Sequence, residues 1–120
     1  MDIQTIKKRR DFLIGNKAPY AAMPSVVVQS YLRTDEVVKT DDSIMMGITC
    51  SKKVGNAVTR NRAKRRLREA GKIVLKGIGL KKTNYIFIAR KAVTVKAKFT
   101  DLCRDIEVGI KKIQERDAGQ

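Results

Sequence analysis

Histidine is missing from all 120 residues of this chain. That absence removes the commonest general acid or base, the Ser-His and Cys-His nucleophile pairs and imidazole metal ligands together. Cysteine is scarce: Cys50 and Cys103 stand far apart, each in an apolar pattern. Buried free thiols are therefore expected, rather than a disulfide or a metal site. No apolar run approaches the roughly 18 residues of a membrane-spanning helix. The N-terminal stretch MDIQTIKKRRDFLIG lacks the apolar core of a secretory signal, so a cytoplasmic location is expected. Acids are few, 12 Asp and Glu against 27 Lys and Arg, which leaves a net charge of +15. A surplus of that size points to nucleic acid or an anionic membrane as partner, and nucleic acid is the better fit without an apolar span. The length suits one domain with one core.

What the chain does have is arginine, concentrated in SKKVGNAVTRNRAKRRLREA, residues 51–70. At about 100° per residue a helix through this segment sorts itself into faces. Ala63, Leu67, Ala70 and Val74 fall on one narrow apolar line, the spacing that packs a helix on a sheet. Arg60, Lys64 and Arg68 stack along a neighbouring line with Asn61 and Arg65 beside it, and Arg62 and Arg66 flank the seam from the other side. Like charges at i, i+4 destabilise a helix by a few tenths of a kcal/mol per pair, and Glu69 is the only acid among them. An ordinary solvated face would mix Glu with Lys. Arginine also grips phosphate in two places where lysine offers a point charge. The segment reads as a polyanion-binding helix.

Along the rest of the chain, Thr5 is positioned to cap a short helix over residues 6–14, ended by Gly15 and Asn16. Pro19 and Pro24 bracket an extended linker containing Tyr20. Residues 25–33 (SVVVQSYLR) form a strand by β-branched content, with Val26, Val28, Ser30 and Leu32 on a core face. Its other face, Val27, Gln29, Tyr31 and Arg33, is half polar and suits a working surface. Residues 34–43 are acidic and polar, with a possible short strand at 37–39, and Asp41 and Asp42 read as turn chemistry. Strands follow at 44–50 and 84–89, the latter apolar on both faces and so central. Between them the basic helix should run through Lys76 and stop at Gly77. A final amphipathic helix over 96–114 carries the stripe Phe99, Leu102, Cys103, Ile106, Ile110 and Ile113, with 117–120 frayed. Strand 44–50, helix and strand 84–89 make a β-α-β unit with parallel strands. The fold class is α+β, with helices packed on one sheet.

The run Ser51–Arg65, with Arg60-Asn61-Arg62 at its centre, resembles the signature of the bacterial ribonuclease P protein subunit. KKRRDF at 7–12 and YIFIARK at 85–91 are similar to flanking parts of the same family, so the resemblance spans nearly the whole chain. It implies a two-layer α-β sandwich with an about four-stranded mixed sheet, order α-β-β-β-α-β-α, and a left-handed β-α-β crossover through the basic helix. Right-handed crossovers are the strong default, so that hand comes from the resemblance alone. It further implies a protein subunit, one per RNA and monomeric by itself. Its catalytic RNA partner, with Mg²⁺ bound mainly by that RNA, removes the 5′ leader of precursor tRNA. No catalytic or metal-binding residues are then expected in the protein.

Carried over by position, Lys52, Lys53, Asn56, Arg60, Asn61, Arg62, Lys64, Arg65 and Arg68 face RNA. The leader cleft of the family, between N-terminal helix and open sheet face, maps to Phe12, Gln29, Tyr31 and Arg90. The sequence departs from the pattern where relatives have a second aromatic one turn after Phe12, here Asn16, and where Gln29 replaces a strand aromatic. Two rivals remain on these residues. A ribosomal or other assembly protein fits the charge and fold class equally. A self-sufficient nuclease is disfavoured by the lack of histidine and of clustered acids.

Overall fold

The computed structural model describes residues 3–7, 18–33 and 43–118. Within them five strands form one mixed sheet: β1 (Ile3–Thr5), β2 (Tyr20–Ala22), β3 (Val26–Leu32), β4 (Ile44–Thr49) and β5 (Thr83–Ala89). A 3-10 turn, Lys52–Val54, leads into helix α1 (Ala57–Ile78). The short helix α2 (Val93–Lys96) and the long helix α3 (Phe99–Ala118) follow β5. The strand order is β1-β4-β5-β3-β2. β1, β4 and β5 run parallel, whereas β3 is antiparallel to β5 and β2 to β3.

Period-two alternation decides which side chains meet the helices. Val26, Val28 and Ser30 stand opposite Ala89, Phe87 and Tyr85, and Met46 and Ile48 stand beside Tyr85 and Phe87. This face, with Ile44 and Ala21, is packed beneath α1 and α3 in one core. Helix α1 lies on β4 and β5, α3 on β2 and β3, and the two helices touch each other. The β5 strand is buried along nearly its whole length on both faces, as its unbroken apolar run requires. The apolar seam of α1 is as expected: Ala63, Leu67 and Ala70 have no exposure and Val74 is buried. On α3, Leu102, Ile106, Ile110 and Ile113 are buried while Phe99 and Cys103 are partly so. Both cysteines are free and only half-buried.

Several boundaries differ from the sequence reading. Thr5 caps no helix: it lies in β1, opposite Met46, and the Ile6 amide continues the ladder by donating to the Met46 carbonyl at 2.9 Å. Pairing with an edge of the sheet outweighs the local capping preference here. The remainder of the expected N-terminal helix, with Phe12, Gly15 and Asn16, lies outside the described residues, as do residues 34–42. The linker between the prolines contributes a strand, β2, and with β1 this brings the described sheet to five strands where about four were expected. Helix α1 does not stop at Gly77. It continues to Ile78, which packs partly into the core, and its C-cap is Gly79, whose amide donates to the Leu75 carbonyl. Lys96 belongs to α2 and not to the closing helix, which begins at Phe99 and keeps Asp117 and Ala118 helical. Leu32 continues the alternation of β3 but is 63% exposed, because it lies at the very end of the strand.

Candidate nucleic-acid interface

The net charge of this chain is not spread over it. Residues 43–100 hold sixteen Lys and Arg against one acid, Glu69, so the flanking segments are neutral in sum. Helix α1 runs through the middle of that segment. Asn56 caps it, its side-chain Oδ1 accepting the Thr59 amide proton at 2.9 Å. With no acid in the first turn, the partial positive charge of the helix N-terminus adds to the cations instead of being neutralised by them. Lys52 and Lys53 are exposed on the 3-10 turn just before it.

Because the Ala63–Leu67–Ala70–Val74 seam faces the sheet, the opposite surface of α1 is solvent-facing. Asn61, Arg62, Arg65 and Arg68 are exposed, and Arg60 and Lys64 are half-buried. Between described residues, ion pairs form only on α3, where Asp101 meets Arg104 at 2.8 Å and Glu107 meets Lys111 at 3.5 Å. The contrast separates the two helices: α3 has the mixed, self-neutralising face of a solvated helix, and α1 does not. Arg60 and Lys64 also surround the Cys50 thiol at the end of β4. Burial pushes that thiol above its ordinary 9.0, while Lys64 and Arg60 pull it partway back.

Arg66 behaves differently from its neighbours. Its Nε donates to the Thr94 carbonyl at 3.2 Å and a terminal nitrogen donates to the Ala97 carbonyl. Behind this contact runs a buried polar relay. Thr94 Oγ1 donates to the Ser25 carbonyl at 2.7 Å and accepts the Arg90 amide proton at 2.7 Å. The Ser25 amide and hydroxyl both donate to Asp105 Oδ2, at 3.1 and 2.6 Å. Thr94, Ser25 and Asp105 are all buried. Nothing in the spacing of these residues announces that they meet, since Ser25 and Asp105 are separated by 80 positions.

The face of the sheet away from α1 and α3 carries Gln29 and Tyr31, as alternation along β3 predicts. Gln29 is only 8% exposed, with Ile86 and Asn84 more deeply buried beside it. Tyr31 is half-buried and its hydroxyl accepts from Asn84 Nδ2 at 2.7 Å; Asn84 Oδ1 in turn accepts from Arg33 at 2.8 Å. On this half-polar face Gln29 is thus packed in, while Tyr31 stays half-buried. Arg90 is exposed just beyond β5, with one guanidinium nitrogen donating to the Met23 carbonyl at 2.7 Å. Thus α1 gathers Arg60, Asn61, Arg62, Lys64, Arg65 and Arg68 on one element, with Lys52, Lys53 and Asn56 leading into it. Gln29, Tyr31 and Arg90 belong to a separate region of the sheet, and Phe12 lies outside the described residues. Among the described residues no three His, Cys, Asp or Glu side chains gather where they could hold a metal ion, and no helix is long and apolar enough to cross a membrane.

Fold and surface together define an α+β protein in which two helices back a mixed sheet and one of them presents an unneutralised cationic face. A family model described as Ribonuclease P matches residues 3–114. The ribonuclease P protein component of Ruegeria pomeroyi is 40% identical over 111 residues, covering 92% of this chain and 86% of that one. That of Caulobacter vibrioides is 36% identical, covering 99% and 84%. Among solved structures, the Staphylococcus aureus RNase P protein superposes with a TM-score of 0.70 at 31% identity, over 90% of this chain and 93% of that one. The Thermotoga maritima RNase P protein shares the fold, with a TM-score of 0.69 at 23% identity. The chain belongs to the ribonuclease P protein family, whose members are protein components of a tRNA-processing ribonucleoprotein endoribonuclease.

Proposed function

We propose that this chain, as one RNA-binding domain, binds the catalytic RNA of ribonuclease P through α1. In the same reading it holds the 5′ leader of precursor tRNA near Phe12, Tyr31 and Arg90, while the RNA breaks the bond. The observation that carries this reading is the cationic face of α1, which forms no ion pair with another described residue. Phosphate neutralisation requires fixed cations that are not already engaged by carboxylates, and each one that meets a phosphate releases a condensed counterion.

Mg²⁺ supplies the Lewis acid and the activated water of such hydrolysis when bound. In this reading the metal is held mainly by the RNA, as the family resemblance implies, and no step is routed through this chain. The role of the protein is positional: it lowers repulsion between two polyanions and aligns the leader. Aromatic stacking suits a variable leader, at about 1–3 kcal/mol per base without sequence preference. The protein acts in the cytoplasm as one copy per RNA.

The test is reconstitution with a catalytic RNA of this family and a precursor tRNA at low Mg²⁺. Added protein should raise the rate of 5′ cleavage and the affinity for precursor over mature tRNA. Cleavage that does not respond to the protein, or cleavage by the protein without RNA, would end the proposal.

A further inference from the structure

Six cations crowd residues 60–68 of α1, and five of them are exposed or half-buried with no ion pair to another described residue. The sixth is Arg66. Both of its hydrogen bonds go to carbonyls at the C-terminal end of α2, Thr94 and Ala97. These are groups that a one-turn helix leaves without partners. A guanidinium fork spans two such oxygens, and a lysine ammonium on its flexible stem does not reproduce that geometry.

The segment so held is unusual. It leaves β5 at Ala89, exposes Arg90 and Lys91, and reverses at Ala92, whose φ of 66° lies in the left-handed region. A non-glycine residue is held there only when its surroundings impose it. The imposing contacts are visible. Thr94 joins the Arg90 amide and the Ser25 carbonyl, Ser25 is fastened to Asp105 on α3, and the Arg90 side chain is fastened to Met23. Arg66 ties this assembly to α1. It is thus the link between the cationic face of α1 and the strand-exit cations Arg90 and Lys91.

We propose that Arg66 is a positioning residue which makes no contact with RNA phosphate and instead sets the spacing between two RNA-contacting regions, the α1 face and the β5 exit. This rests on the functional reading above, in which α1 meets the catalytic RNA and Arg90 meets the leader. A rigid spacing matters because leader and catalytic RNA are held at once. Slack between the two regions would leave each contact intact while weakening the advantage of engaging both.

The experiment uses the full chain reconstituted with its catalytic RNA. Two quantities are read for each variant: the slope of log affinity for the catalytic RNA against log salt, and the ratio of affinities for leader-bearing and mature tRNA. Arg60→Ala serves as the phosphate-contact reference and should flatten the slope by about 0.7–0.9. Arg66→Met should leave the slope unchanged and lower the leader ratio about five- to tenfold. Arg66→Lys, which keeps charge and stem, should fail to restore that ratio. If Arg66→Met does not fold, Arg66→Lys carries the test alone, with an unchanged slope and a lowered ratio. Rescue by lysine, a flattened slope in Arg66→Met, or no change in the leader ratio would each overturn the proposal. An unchanged slope in Arg60→Ala would strike the α1 reading itself, and this inference with it.

Discussion

Tyr85 shows how much one side chain can be asked to do in a small core. It is 1% exposed, packs among the apolar residues under α1, and yet its hydroxyl accepts the Leu80 amide proton at 2.9 Å. Burial raises its phenol above the ordinary 10.0, with the Leu80 and Thr83 hydrogen bonds pulling partway back. Replacing it with phenylalanine keeps the ring but strands a backbone donor, at a cost of about 1–3 kcal/mol. Tyr85→Phe should therefore lower the urea midpoint with little change in slope. The sign of the pH effect follows from the raised value. The folded state holds the proton more tightly than the unfolded chain, so stability is full below the unfolded pKa and declines as pH rises through it toward the folded one. Unfolding measured above pH 10 should show that decline in the native sequence and less of it in Tyr85→Phe. At this scale the sequence was a partial guide. The apolar run around Tyr85 announced a central strand, whereas its hydroxyl partner is set by how the chain turns between α1 and β5.

Helix α1 meets the sheet where Gly71 lies over β4 and β5. A Cβ built there would stand 2.6 Å from Phe87 Cε2 and 2.7 Å from Met46 Sδ. Alanine gains about 1 kcal/mol over glycine in helix propensity, while overpacking a close interface costs typically about 1–3 kcal/mol. Both obstructing atoms belong to buried core side chains, so the clash should win. Gly71→Ala is expected to destabilise the fold in thermal or urea unfolding, and stabilisation would show that α1 can ride higher on the sheet. The apolar seam of α1 was legible because 3.6-residue periodicity is a property of the sequence alone. Gly71 was not, because a glycine in a helix pattern looks like a weakness until its neighbours across the interface are known. The N-terminal boundary failed for a related reason. Thr5 is a sound capping residue, but the parallel pairing of β1 with β4 comes from residues some forty positions away.

Across the whole molecule, charge is segregated: neutral flanks, a strongly cationic middle, and one helix face on which that middle is displayed. Long-range attraction of this kind is screened by salt within about 8 Å at physiological ionic strength. Affinity for the catalytic RNA should accordingly fall steeply as salt rises. Arg65→Ala, on the exposed face, should reduce that slope by about 0.7–0.9, the share of one phosphate contact. An unaltered slope would remove Arg65 from the interface. The same mutation should leave stability nearly untouched, since an exposed residue with no ion pair to another described residue contributes little to folding.

Composition and periodicity by themselves determined the α+β class, the cationic character, the central place of residues 84–89 and the roster of α1 cations. All of these depend on residue type and on spacing within one element, which the order of amino acids specifies directly. The tertiary structure alone decided that Arg66 turns inward to Thr94 and Ala97 and that Gln29 is packed in. It likewise decided that Ser25 and Asp105 close a buried relay between β3 and α3. Those outcomes are set by which elements are brought side by side, and a side chain with the chemistry to bind phosphate will take a buried carbonyl instead when packing delivers one first.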